Sequence, residues 1–235
     1  MSFPDIVILA GGKGTRLKNT VPDLPKPMAP VAGKPFLEYL LNFLKSHGAR
    51  NIILSVGYMH DRIISHFGDE FQGLSIEYSI EQEPLDTGGA IKLALEHCQS
   101  ENILIYNGDT FFASSPMELV RFHLEHESTI SIYLKPMNHP DRYGTVEMDR
   151  NRVISFKEKN TALNFGLINA GVYCISKAIM AAYKKNSVFS FEKEILEPMA
   201  KDRNIYGLVS DAYFIDIGIP EDYERANETF RNLEY

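Results

Sequence analysis

Short apolar runs alternating with segments of helical period constrain this chain more than any other feature. Ile6–Ala10 reads as a first strand and runs straight into Gly11-Gly12-Lys13-Gly14-Thr15-Arg16. A loop punctuated by Pro22, Pro25, Pro27 and Pro30 leads to a helix over Pro35–Ser46, whose Phe36, Leu40, Phe43 and Leu44 share one face. Strands at Ile52–Val56 and Ile76–Ile80 and helices at Asp61–Phe67 and Thr87–His97 repeat the unit, and Asn102–Tyr106 is a further strand. The repetition predicts βαβ units: an α/β fold, Rossmann-like, with a mixed, mainly parallel sheet and helices on both faces.

Ser115-Pro116-Met117-Glu118 has the pattern of a capping box with proline at the first helical position, opening a helix to about His126. After residue 128 the texture changes. Thr129–Leu134, Thr145–Met148, Val153–Phe156 and Ala170–Ile175 read as strands with little helix between them. Helices return at Lys177–Tyr183 and Phe191–Met199, strands at Ile205–Val209 and Tyr213–Asp216, and a closing helix at Pro220–Asn232. The expectation is one domain over residues 1–235, with a nucleotide-binding half (about 1–127) and a β-rich half (about 128–235) that shares its sheet.

A chain of 235 residues with 44% hydrophobic and 23% charged content buries a core without staples. Its two cysteines, Cys98 and Cys174, lie in apolar stretches and form no CxxC, which argues against a disulfide framework or structural zinc. The N-terminus has no basic region, and Ile6–Ala10 is too short for a signal or membrane segment, so a cytoplasmic location is expected. A net charge of −7 argues against nucleic acid as a partner. The sequence leaves the oligomeric state open, a homo-oligomer included.

A glycine-rich loop after a strand lets backbone N–H groups approach a polyphosphate, though tight turns want glycine too. This loop is not a Walker A motif, and Leu17 stands where a dinucleotide fingerprint needs its third glycine. Further on, Pro25 and Pro27 flank Lys26 and are expected to hold it extended, ready for an anion or simply solvated. Asp109 and Asp216 each close a strand, where open α/β sheets place ligand sites, although an aspartate there also serves as a turn or cap.

Together, Gly11-Gly12-Lys13-Gly14-Thr15-Arg16-Leu17 and Pro25-Lys26-Pro27 resemble the paired motifs GGxGTRL and PKP of the nucleoside-diphosphate-sugar pyrophosphorylases, also called nucleotidyl sugar transferases. The later motifs follow in that family's order. Glu83-Pro84-Leu85-Asp86-Thr87-Gly88-Gly89-Ala90 is similar to EPLGTAGA, with Asp86 in place of a glycine. Asn107-Gly108-Asp109, Arg142-Tyr143-Gly144, Phe156-Lys157-Glu158-Lys159, Asn169-Ala170-Gly171-Val172-Tyr173 and Phe214-Ile215-Asp216-Ile217-Gly218 resemble its remaining segments, with Asn160 replacing a proline. The resemblance spans the chain and stops where many relatives continue into a β-helix tail.

It implies an enzyme joining a nucleoside triphosphate to a sugar 1-phosphate with release of pyrophosphate. Leu9, Ala10, Gly11, Gly12, Gly14, Thr15, Arg16, Glu81, Pro84, Thr87 and Gly88 would line the nucleotide site, and Tyr143, Gly144, Glu158, Lys159 and Asn169 the sugar phosphate. Asp109 and Asp216 would hold Mg²⁺, an ordinary role for two hard carboxylates. Arg16, Lys26 and Asp109 would carry catalysis: Arg16 on the β- and γ-phosphates, Lys26 near the α-phosphate, and Lys159 on the sugar phosphate. Glu81 falls where the family reads the base, and one carboxylate accepts from both N1–H and the 2-amino group of guanine, favouring GTP. A uracil N3–H would also satisfy one oxygen. The texture is closest to the short family branch that guanylylates a heptose 1-phosphate. Guanylylation of mannose 1-phosphate, uridylylation of N-acetylmuramate 1-phosphate and an inactive sugar-nucleotide sensor stay open.

Overall fold

Strand β1 (Ile6–Leu9) shows why the sheet lies in the middle of the molecule. Its residues are apolar without alternation because both faces are covered. Ile6 and Ile8 pack into one core with Phe36, Leu40 and Leu44, while Val7 joins a second core with Ile91 and Ala94. The computed structural model describes residues 3–12 and 23–233.

Along the chain follow β2 (Pro30–Val31), β3 (Lys34–Pro35), α1 (Phe36–Ser46), β4 (Asn51–Val56), α2 (His60–Phe67), β5 (Glu70–Phe71), β6 (Leu74–Ile80), α3 (Asp86–Ala94), β7 (Asn102–Asn107), β8 (Thr110–Phe112) and α4 (Pro116–Glu125). The second half supplies β9 (Ile130–Asn138), β10 (Thr145–Asp149), β11 (Arg152–Lys157), β12 (Phe165–Ser176), α5 (Lys177–Ala182), α6 (Glu197–Lys201), β13 (Ile205–Val209), β14 (Phe214–Asp216) and α7 (Pro220–Thr229). Ten strands form one sheet in the order β10-β11-β13-β9-β12-β7-β1-β4-β6-β5. The run β7-β1-β4-β6 is parallel, as the βαβ pattern predicts. Beyond it β12 enters antiparallel to both β7 and β9, so the sheet is mixed.

The amphipathic pattern of α1 is realised in full: Phe36, Leu37, Leu40, Leu41 and Leu44 have no exposed surface. Each contributes about 1.5–3 kcal/mol by burial. Among the described residues, no helix is long and apolar enough to cross a membrane.

Four local expectations give way to tertiary structure. The capping box at Ser115 does not form: Pro116 takes the first helical position, but the Ser115 side chain makes no cap bond. Glu118 instead accepts from the Tyr133 hydroxyl at 3.1 Å, which removes the box's other half. The helix expected at Phe191–Met199 splits into a π-helical turn, Glu192–Leu196, and α6. Pro198 has no N–H to donate and its ring crowds the carbonyl four residues back, so a wider turn is favoured there. Strand β12 starts five residues before the expected Ala170, because residues 165–169 find partners on β9. Finally, β8 was not evident in the sequence. It pairs antiparallel with β14, setting Thr110 opposite Asp216.

Candidate active site

The C-terminal ends of β1, β4, β6 and β7 open onto a cleft of about 900 Å³, the position expected for a ligand in an open α/β sheet. Leu9, Ala10, Gly11 and Gly12 form its floor. At two glycines around the cleft there is no room for a side chain. A Cβ on Gly11 would stand 2.4 Å from Glu81 Oε1, and one on Gly108 2.6 Å from the Leu9 carbonyl oxygen. Gly108 N–H donates to that same carbonyl at 2.9 Å, which fixes Asn107-Gly108-Asp109 against the end of β1. Gly14, Thr15 and Arg16 lie outside the described residues.

At one end of the cleft Asp109 and Asp216 face each other across a single cation. Lys26 Nζ lies 2.5 Å from Asp109 Oδ2 and 3.4 Å from Asp216 Oδ1. The two aspartates are 107 positions apart, and the β8–β14 ladder unites them, reinforced by Ile217 N–H donating to the Asp109 carbonyl at 3.1 Å. Gly218 N–H donates to Asp216 Oδ1 at 2.7 Å and orients that carboxylate. Burial raises the Asp216 pKa; Lys26 opposes the rise and Asp109 adds to it. Among the described residues no group of three or more His, Cys, Asp or Glu gathers as a metal site. The expectation that Lys26 is extended needs correction. Pro25 is extended, but Lys26–Met28 forms a 3₁₀ turn, closed by Met28 N–H on the Pro25 carbonyl at 2.8 Å. Pro27 tolerates the second place of such a turn because no donor is needed there.

At the other end Glu81 N–H donates to the Val56 carbonyl at 2.8 Å, and the Glu81 side chain reaches over Gly11. Burial raises the Glu81 pKa, while the Leu85 N–H bond opposes the rise. That N–H donates to Oε2 at 2.9 Å and leaves Oε1 towards the cleft floor. Pro84 and Thr87 line the cleft, as do Tyr58 and His60, which no sequence motif had marked. Asp86 has φ +58, a left-handed backbone that aspartate tolerates better than most residues. Gly88 belongs elsewhere. It is buried, and a Cβ there would meet the Phe189 ring at 2.2 Å. Its absent side chain serves packing, and it does not line the cleft.

A smaller cavity of about 260 Å³ adjoins the cleft, with Asn107 as the shared wall. Tyr143, Gly144 and Asn169 are among its lining residues. Asn169 owes its place to a bulge in β12 between Asn169 and Tyr173, and its Nδ2 donates to the Tyr173 hydroxyl at 2.9 Å. Burial holds the Tyr143 hydroxyl pKa up at about 12, with Asp216 adding to the effect, so it stays protonated. Its neighbour Arg142 pairs with buried Asp222, which also takes Arg225 at 2.9 Å and anchors the turn to α7. Glu158 and Lys159 are exposed and line neither cavity; Lys157 and Glu192 stand in the wall instead.

Residues 5–232 match the family model described as nucleotidyl transferase. The chain belongs to the nucleotidyl transferase family. This family member is 46% identical to D-glycero-alpha-D-manno-heptose 1-phosphate guanylyltransferase of Aneurinibacillus thermoaerophilus, over 97% of its own length and 99% of the relative's. It is 48% identical to the protein of the same name from Campylobacter jejuni, over 92% and 96% of the two chains. Among solved structures, that of HddC from Yersinia pseudotuberculosis complexed with GMP-PN superposes with a TM-score of 0.87 at 39% identity, covering 97% of this chain and all of that one. Similarity to mannose-1-phosphate guanylyltransferase of Mycobacterium tuberculosis is lower, 34% identity over 63% of that protein.

Proposed function

We propose that the chain transfers a guanylyl group from GTP to a heptose 1-phosphate, D-glycero-α-D-manno-heptose 1-phosphate being the favoured acceptor, and releases pyrophosphate. One observation carries the reading: a cleft large enough for a nucleotide meets a smaller cavity at Asn107, with Asp109, Lys26 and Asp216 among the cleft's lining. Two reactants held end to end across that wall would have their phosphates beside the same charged cluster. The heptose acceptor is favoured over mannose 1-phosphate because the heptose relatives match end to end and at higher identity.

In this reading residues 1–127 serve the nucleotide and 128–235 the sugar phosphate, with Asp216 crossing back through the β8–β14 ladder. Direct phosphoryl-type transfer asks the protein chiefly to position reactants and offset charge. Gly11 and Gly12 present backbone to the nucleotide, and Glu81 accepts from the guanine edge. Lys26 neutralises the phosphates nearest the reacting bond, and Tyr143 and Asn169 donate to the acceptor. The donor set fits a divalent cation: two carboxylates already share one positive charge, and phosphate oxygens complete a hard-oxygen shell. Mg²⁺ held by Asp109 and Asp216 would stabilise charge on the leaving pyrophosphate.

The test is a pyrophosphate-release panel of GTP, ATP, UTP and CTP against heptose, mannose and N-acetylmuramate 1-phosphates. The expected result is the highest kcat/KM for GTP with the heptose. Release with another base or sugar at equal efficiency overturns that part of the assignment.

A further inference from the structure

The smaller cavity has one acidic wall that the functions assigned above leave unused. Glu192 is the sole carboxylate among its described lining residues, and Lys157 the sole cation. A carboxylate is a poor neighbour for a phosphate, so the part of an anionic sugar it can face is the hydroxylated ring. Its two oxygens are differently employed. Oε2 accepts from Thr87 Oγ1 at 2.7 Å and from Ser190 Oγ at 3.0 Å. Oε1 has no donor among the described residues, which leaves an acceptor for a ligand hydroxyl.

The carboxylate is also well held. Phe191 N–H donates to Thr87 Oγ1 at 2.9 Å, and Gly88 N–H to the Phe189 carbonyl at 2.8 Å, so the strap before Glu192 is sewn to the first turn of α3. Gly89 permits this approach, since a Cβ there would stand 2.2 Å from the Ser187 carbonyl oxygen. Glu192 opens the π-helical turn, a deviation often found at functional sites. Fixed side chains of this kind discriminate between ligands because they cannot follow a missing partner.

We infer that Glu192 is a specificity-determining residue of the acceptor site, its free carboxylate oxygen accepting from a ring hydroxyl of the sugar 1-phosphate. The inference rests on the sugar-phosphate reading of this cavity given above. Glu192→Gln preserves size and an oxygen for Thr87 but sets an amide where the free acceptor was. Loss of one charge-assisted hydrogen bond should raise KM for sugar 1-phosphate roughly ten- to a hundredfold, with KM for the nucleotide within about twofold. Against monodeoxy analogues of mannose 1-phosphate, the wild type should penalise at least one, and Glu192→Gln should abolish that penalty. A merely structural glutamate would not single out one hydroxyl. An unchanged KM for the sugar phosphate, or the same penalties in both proteins, overturns the assignment.

Calorimetry of sugar 1-phosphate with an unreactive GTP analogue present separates the two readings. A protein without turnover that binds the sugar phosphate, and loses that binding in Glu192→Gln, keeps this assignment while the transfer reading falls. An active protein with unchanged sugar affinity in the variant overturns this assignment alone. Absence of both binding and turnover overturns both. Thr87→Val, which cuts the tie without altering the cavity wall, should weaken the discrimination without abolishing it, and equal deoxy penalties in this variant and the wild type would remove the tie from the account.

Discussion

On the proposed reading, Asp109 and Asp216 each act on charge that develops at the reacting phosphates. Removing one major electrostatic stabiliser costs on the order of 10²-fold or more in turnover. Asp109→Ala and Asp216→Ala should each show that loss at saturating Mg²⁺, and near-wild-type kcat in either would withdraw its assignment. Glu81 is the second test. Glu81→Gln places an NH₂ against one guanine donor, so kcat/KM with GTP should fall roughly ten- to a hundredfold and the gap to UTP should narrow. An unchanged GTP/UTP ratio in steady-state assays would move base selection to the backbone near Pro84. These residues were legible in the sequence because each sits in a short motif at a strand end, where local pattern and function coincide. Glu192 was not. Its partner Thr87 is 105 positions away, and no local periodicity marks a side chain whose neighbours arrive only through long-range packing. Lys159 fails in the opposite sense, since its motif stands in the sequence while the side chain is exposed beyond β11.

Among elements, the junction of β1 and β7 leaves no room for a side chain. Gly108→Ala would drive a methyl group to 2.6 Å from the Leu9 carbonyl oxygen, a backbone atom that cannot rotate away. The strand ends must part, at a cost of about 1–3 kcal/mol typical of overpacking, and Asp109 must shift with them. A displacement near 1 Å at such a residue costs about 10²-fold in rate. Thermal melts and turnover should therefore fall together in Gly108→Ala. Gly12→Ala, with no atom of the described residues within 4 Å of its added carbon, should melt close to wild type. A Gly108→Ala protein with unaltered Tm would mean that the strand ends are slack. The parallel strands were readable in advance because their apolar runs are short, unbroken and bounded by turn residues. The β8–β14 ladder was not, since three-residue strands carry too little pattern to show, yet it is what brings the two aspartates together.

For the whole molecule, Asp5 ties the entry of the sheet to the turn before β7. Its Oδ2 accepts N–H bonds from Gln99 at 2.6 Å and Ser100 at 2.8 Å. Burial, the largest single influence, would raise its pKa, but those two donors together with the Ser100 and Asn51 side chains outweigh it, and the folded pKa lies below the ordinary carboxylate value. A depressed folded pKa gives stability that is fully present above the unfolded value, about 3.9, and is lost as pH falls through the folded one. Asp5→Ala leaves two N–H groups without this acceptor and should cost about 1–3 kcal/mol at neutral pH. The Tm difference from wild type should shrink as pH drops below about 4; a difference independent of pH would show that the charge contributes nothing.

Strand β12 carries a consequence for how such a chain can vary. It pairs with β10 before the bulge at 169–173, beside the smaller cavity, with β7 from Val172 onward, and with β9 on both sides of the bulge. One residue along a strand is about 3.3 Å of travel and a reversal of face. Inserting or deleting a single residue on one side of the bulge therefore moves one reactant's wall relative to the other by nearly the length of two covalent bonds. On the proposed reading this strand works as a ruler, its length set by the gap between two reactants that must touch.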